Sequence, residues 1–203
     1  GLSIERAGPQ IGNSTDLGGA VDRYLSHGVD VDQAHRQLEQ RRLALLYSLL
    51  PQFERLRARL DDMRVYWRRW ADAWARDFSA VCATHGFLPE ASLQQRNLFD
   101  EVVLPMTKES GLTAYFVVDA LRFEMAEGLY QAWKDTPATS IHLKARLAEL
   151  PSVTEVGMNV LAPVVNGGKL KPSLSKGKIQ GFSTGEFRVC SPETRKRAMH
   201  DRV

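Results

Sequence analysis

Two short stretches carry side chains whose types and spacing could do chemistry. In "AYFVVDALRFEMAEGL", residues 114–129, the apolar run Tyr115 to Val118 reads as a buried strand. It ends abruptly on a carboxylate, Asp119, and an amphipathic helix follows at once. In "LPSVTEVGM", residues 150–158, Ser152 and Glu155 fit the S-x-x-E capping box and so mark a helix start. Thr154 then falls on the first turn, where its hydroxyl lies near free N–H groups and the positive end of the helix. Such a place stabilises an incoming phosphate together with an alkoxide. Asp119 has a simple structural role open to it, capping the helix that follows. It also stands at the carboxyl end of a strand, where open α/β sheets bind ligands. A threonine becomes a nucleophile only when a base or a metal activates it, and a cation held by Asp119 would do so.

The elements that must position these residues divide the chain at about residue 110. Residues 14 to 105 read as all-helical. "NSTDLGGAVDRYLSHG" offers a Ser/Thr/Asp start and a short helix, and "VDVDQAHRQLEQRRLALLYSLL" a second one capped by Asp30 or Asp32. Pro51 interrupts that pattern. Beyond it Phe53, Leu56, Leu60, Met63, Trp67, Trp70, Trp74 and Val81 form a heptad-like seam that stops at His85-Gly86. The three tryptophans are expected to be core rather than a stacking platform, because a long helix needs an apolar stripe to be stable. "PEASLQQRNLFDEVVLPMTKES" supplies one more helix ending near Pro105.

From Gly111 the pattern changes. "LTAYFVV" reads as a parallel buried strand, and "ALRFEMAEGLYQAWKD" as the helix after it. "SIHLKARLAEL" alternates strictly, as a half-exposed second strand does, with Ile141, Leu143, Ala145 and Leu147 on one face. The Gly/Ser/Lys-rich stretch "VVNGGKLKPSLSKGKIQG" reads as a mobile connection too polar to be core. "CSPETRKRAMHDRV" starts a final helix, with Ser191 as cap and Pro192 in the first position. The expected fold class is therefore α/β behind a helical region, 1–110. Residues 111–203 are expected to be the first part of a doubly wound sheet, since strand–helix–strand cannot close one.

Composition sets outer bounds. The 203 residues are 43% apolar and 25% charged, ordinary values for a globular protein, and no run approaches a membrane span. Two cysteines, Cys82 and Cys190, give neither a disulfide framework nor a zinc ribbon, so a reducing cytoplasm is the expected compartment. No secretory signal is expected in the first residues. Residues 1–105 carry 13 Arg, no Lys and 14 Asp+Glu, a net of −1, whereas residues 106–203 sum to +4. That excess sits in Lys169, Lys171, Lys176, Lys178 and the Arg195–Arg197 run. It lacks the aromatic interleaving of a nucleic-acid surface and reads as a solvated connection.

"VVDALRFEMAEGL" followed by "LPSVTEVGMNVLAP" resembles the PglZ family, a component of the bacterial BREX and Pgl phage-resistance systems. The upstream "VDQAHRQLEQ" is similar to the helical region that precedes this domain in the family. The resemblance implies an alkaline-phosphatase-like fold and hydrolysis of phosphate or sulfate esters with two divalent metals, often zinc. It implies that Asp119 ligates one metal and that Thr154, with Ser152 as second choice, attacks phosphorus while bound to the same metal. Their oxygens are then expected roughly 3–4 Å apart. This chain departs from the family's phosphodiesterase relatives in having Gly157 where they carry an Asn three residues after the nucleophile. None of His27, His35, His85, His142 and His200 sits in an Asp-x-x-x-His metal pattern. The segment alone is therefore expected to hold no stoichiometric metal and to be inactive, the intact protein being the metal-dependent phosphohydrolase. Two other functions compete, a non-catalytic scaffold and a nucleic-acid-contacting module of a defence complex. The expected partners are other phage-defence proteins, with nucleic acid a further candidate and no membrane.

Overall fold

The computed structural model describes residues 14, 16–45, 53–137, 140–163, 170–184 and 187–203. It is a mixed α/β structure with a helical N-terminal region and a small antiparallel sheet. The chain packs as two compact units, each built from two stretches.

The first unit takes its described residues from 14–87 and 122–143. Helix α1, Leu17–Arg23, starts at Asp16, whose carboxylate accepts from the Gly19 N–H at 2.7 Å. It runs through a π-helical turn, Tyr24–Gly28, directly into α2, Val29–Leu45. Asp30 and Asp32 therefore do not cap a new helix. Asp32 instead accepts from the Tyr24 hydroxyl at 2.8 Å and from Trp67 Nε1 at 3.1 Å. A Cβ on Gly28 would lie 2.6 Å from the Tyr24 ring and 3.1 Å from Trp74, so only glycine lets these helices approach.

Helix α3, Phe53–His85, carries the apolar seam. Trp70 is buried with Val31, and Trp67, Ala71 and Trp74 pack around them. Trp67 lies flat on His35, ring centroids 3.7 Å apart. The seam is core only in its later part, since Leu56 and Met63 are exposed. Helix α1 and helix α2 cover the tryptophans and leave the first turns open. Helix α5, Phe123–Trp133, packs on α2. The expected break at Pro51 lies outside the described residues.

The second unit takes its described residues from 88–121 and 144–203. The helix expected before Pro105 is a broken path: 3₁₀ turns at Ala91–Leu93 and Gln95–Asn97, a π-helical turn Phe99–Val103, then α4, Leu104–Thr107. Proline has no N–H for the carbonyl four residues back, and the wider turn accommodates that loss.

The two expected parallel strands form no ladder. Residues 112–118 run without sheet pairing, and of the 140–148 stretch only Leu147 makes a bridge, to Gln94. The alternation itself is present: Ile141, Leu143, Ala145 and Leu147 are half-buried, while His142 and Lys144 are exposed. A strand buried on both faces needs neighbours on either side. Here Leu112, Phe116 and Val118 stand exposed, and no described segment pairs with their backbone.

Among the described residues the sheet lies instead where a polar connection was expected. Strands β1, Lys171–Ser175, β2, Lys178–Thr184, and β3, Phe187–Val189, pair antiparallel in that order. Ser175 pairs with Lys178 across the two-residue turn Lys176-Gly177, whose φ values are 50° and 74°. Positive φ at both positions is the mark of the hairpin turn that matches strand twist. The part of the connection at 164–169, with Lys169, lies outside the described residues. Below the sheet, Val156, Val160, Ala162, Phe182, Val189 and Ala198 make the core. Helix α7, Pro192–His200, begins as its sequence predicts: the Ser191 hydroxyl accepts from the Thr194 N–H in a complete capping box.

Candidate active site

Asp119 ends the extended run, and the inward residue Tyr115 holds that run in place. The Tyr115 ring leans on buried Phe99, centroids 6.4 Å apart, and its hydroxyl reaches the Leu161 carbonyl at 3.5 Å. Burial pushes the Tyr115 phenol up to about 12, so it stays a protonated donor at neutral pH. The chain then turns sharply, with Ala120 at φ 55°. A left-handed conformation is costly for alanine, and Asp119 Oδ1 braces it by accepting from the Ala120 N–H at 2.9 Å. Asp119 therefore does not cap α5. Arg122 occupies that position, without a side-chain cap bond.

Thr154 opens a single helical turn, α6, Thr154–Gly157. The capping box read from Ser152 and Glu155 does not form, because Val153 is the N-cap and makes no side-chain cap bond. The turn is anchored from behind by buried Val156 and Asn159. Asn159 donates to the Glu155 carbonyl at 2.7 Å and accepts from Arg195 at 2.7 Å, which ties this turn to α7. The approach to Thr154 is braced too. Arg96 grips Glu149 through two bonds of 2.6 Å, and the Gln95 side chain bridges the Glu149 N–H and the Gly157 carbonyl. Arg146 spans the Gln94 carbonyl and Glu101.

These braces bring the two chemical residues together. Thr154 Oγ1 donates to Asp119 Oδ2 at 3.1 Å, with both side chains exposed. Ser152 is exposed nearby in sequence, but the recorded bond to Asp119 is that of Thr154. Gly157 offers no side chain where the resemblance leads one to look for an amide. Asn159 does not replace it, since both ends of its amide are committed within the unit.

The pair fits one corner of a divalent-metal site. Two oxygens each about 2.0–2.2 Å from one cation lie roughly 3–4 Å apart, and the observed separation falls at the short end of that range. Among the described residues no three His, Cys, Asp or Glu side chains converge on a common point. A catalytic zinc commonly takes three protein ligands, so Asp119 and Thr154 amount to a partial donor set. The supporting side chains Gln95, Arg96, Glu149, Asn159 and Arg195 had no sequence signal, because their partners lie 36 to 62 residues away.

Residues 98–170, which hold both motifs, match the family model described as the BREX system PglZ alkaline phosphatase-like domain. The resemblance to the PglZ family is thereby shown over that stretch. The chain is also 38% identical over 72 residues to the alkaline phosphatase-like protein BrxZ of Escherichia coli O9:H4 (strain HS). That match covers 34% of this chain and 8% of the relative, a small part of its length. No solved structure matches the chain significantly. Among the described residues no helix is long and apolar enough to cross a membrane.

Proposed function

We propose that the chain carries the nucleophile-bearing part of a metal-dependent phosphohydrolase that acts on phosphate esters or diesters. The hydrogen bond of 3.1 Å between Thr154 Oγ1 and Asp119 Oδ2 is the observation that supports this reading. A carboxylate that accepts the threonine proton polarises the hydroxyl and fixes its direction, as an activated nucleophile requires. Asp119 and Thr154 would hold the cation between them, and the bound cation would supply Lewis-acid stabilisation of the alkoxide and of the phosphoryl oxygens. Thr154 is free to attack because its turn is exposed, while Val156 and Asn159 hold that turn from the buried side. The remaining donors belong to other parts of the protein, and the doubly wound parallel sheet belongs to the same proposal. So do zinc as the metal, a cytoplasmic location and association with other phage-defence proteins.

A scaffold reading is the alternative, and it requires that the donor set stay incomplete in the intact protein. The discriminating experiment is hydrolysis of an aryl phosphodiester by the intact protein, with its zinc content measured on the same sample. Activity that Thr154→Ala removes without loss of zinc supports the catalytic reading. Bound zinc with no hydrolysis leaves the scaffold, whereas hydrolysis indifferent to Thr154 removes the threonine from the chemistry.

A further inference from the structure

A cleft of about 610 Å³ opens between β3 and α7, lined by Phe187, Arg188, Cys190, Thr194, Arg197 and Asp201. Its size is that of a small-molecule site. The ion pairs recorded for described arginines of this unit are Arg96–Glu149, Arg146–Glu101 and Arg202–Asp100. Among the described residues, Arg188 and Arg197 thus have no carboxylate partner, and both are exposed. Two guanidinium groups around one cleft, one from a strand and one from a helix and neither paired with a described carboxylate, are donors suited to a phosphate. Phe187 adds a second chemistry. It packs on the buried core through part of its surface and lines the cleft with the rest, so an aromatic group is available there. An aromatic ring beside cations is how a base and its phosphate are held together. Asp201 is the cleft's carboxylate, an acceptor for the N–H or O–H groups of such a ligand and a repulsive neighbour for its phosphate.

We propose that this cleft binds a nucleotide, its phosphate on Arg188 and Arg197 and its base on Phe187. The proposal stands independently of the phosphohydrolase reading, because neither Asp119 nor Thr154 lines the cleft.

Calorimetric titration of the full chain with AMP, adenosine and inorganic phosphate, in EDTA, tests it. AMP should bind saturably and more tightly than either fragment. The double variant Arg188→Ala/Arg197→Ala should weaken AMP at least tenfold, and both positions are exposed enough for the variant to fold. Phe187→Leu keeps an apolar group on the core and should weaken AMP about 5- to 150-fold while leaving phosphate unchanged. Asp119→Ala should leave AMP binding unaltered. A single-stranded dA10 separates the sources: affinity at least tenfold above AMP and steeply salt-dependent points to a strand, equal affinity to the free nucleotide. No saturable binding of AMP, AMP binding unchanged in the double variant, or phosphate binding as tightly as AMP overturns the proposal.

Discussion

Thr154 and Asp119 are separated by 35 residues and joined by one hydrogen bond of 3.1 Å from hydroxyl to carboxylate. The bond gives the two positions separable roles in the intact protein. Asp119→Ala should weaken metal binding, whereas Thr154→Ala should spare it and lower phosphoester turnover by two orders of magnitude or more. Metal content by atomic absorption and turnover of an aryl phosphodiester check the pair. A Thr154→Ala protein with ordinary turnover would remove the threonine from the chemistry.

The brace behind Thr154 should matter for stability as well. Arg96 and Glu149 are largely covered and form a bidentate pair, so Glu149→Gln should cost about 1.5–3 kcal/mol, the range for hydrogen bonds to charged groups. Urea denaturation measures this directly. A cost under about 0.5 kcal/mol would place the pair with ordinary surface ion pairs.

Trp70 is the most buried of the three seam tryptophans, packed with Val31. Trp70→Ala should destabilise by about 3–5 kcal/mol. The exposed seam residue Met63 provides the contrast, and Met63→Ala should fall within about 0.5 kcal/mol of the parent. Equal effects at the two positions would contradict the partial coverage of α3.

His35 lies under Trp67, and burial holds its pKa below the ordinary histidine value, outweighing the opposing pull of Glu39 and Asp32. The folded state therefore binds its proton less readily than the unfolded chain does. The stability contributed by neutral His35 is complete above the unfolded value, about 6.5, and is lost as pH falls towards the lower folded value. Thermal melts should show a decline below about pH 6.5 that His35→Gln reduces. A decline of the same size in the variant would assign it to other groups.

The hairpin turn carries a lysine in a left-handed conformation. Lys176→Asn creates the Asn-Gly pair that such turns prefer and should stabilise the chain by about 0.5–1 kcal/mol. Limited trypsinolysis gives a second readout. Cleavage should favour Lys176 at the tip over Lys178, which pairs with Ser175 in the strands.

Several features were legible in the sequence because their causes act within a few residues. The capped start of α7 is one, since Ser191, Pro192 and Thr194 form it among themselves. The tryptophan seam is another, being a helical period that any partner must cover. Asp119 was marked locally by the abrupt end of an apolar run, and Thr154 by a place on the first turn of a helix, although the Ser152/Glu155 box that suggested that start does not form. The turn Lys176-Gly177 was a local signal as well, masked by a composition that reads as loop.

Only the tertiary structure decided which of these local offers were taken up. Asp32 could cap a helix by its position, yet Tyr24 and Trp67 claim its carboxylate, and the helix runs on through Gly28. Ser152 could cap by its spacing to Glu155, yet braces from residues 94–96 and 195 set the path, and Thr154 is the residue that meets Asp119. Residues 112–118 have a strand's composition without a strand's partners among the described residues. Periodicity and capping are properties of neighbours along the chain. Sheet pairing and the approach of two side chains across 35 residues depend on how distant segments pack, which local pattern does not encode.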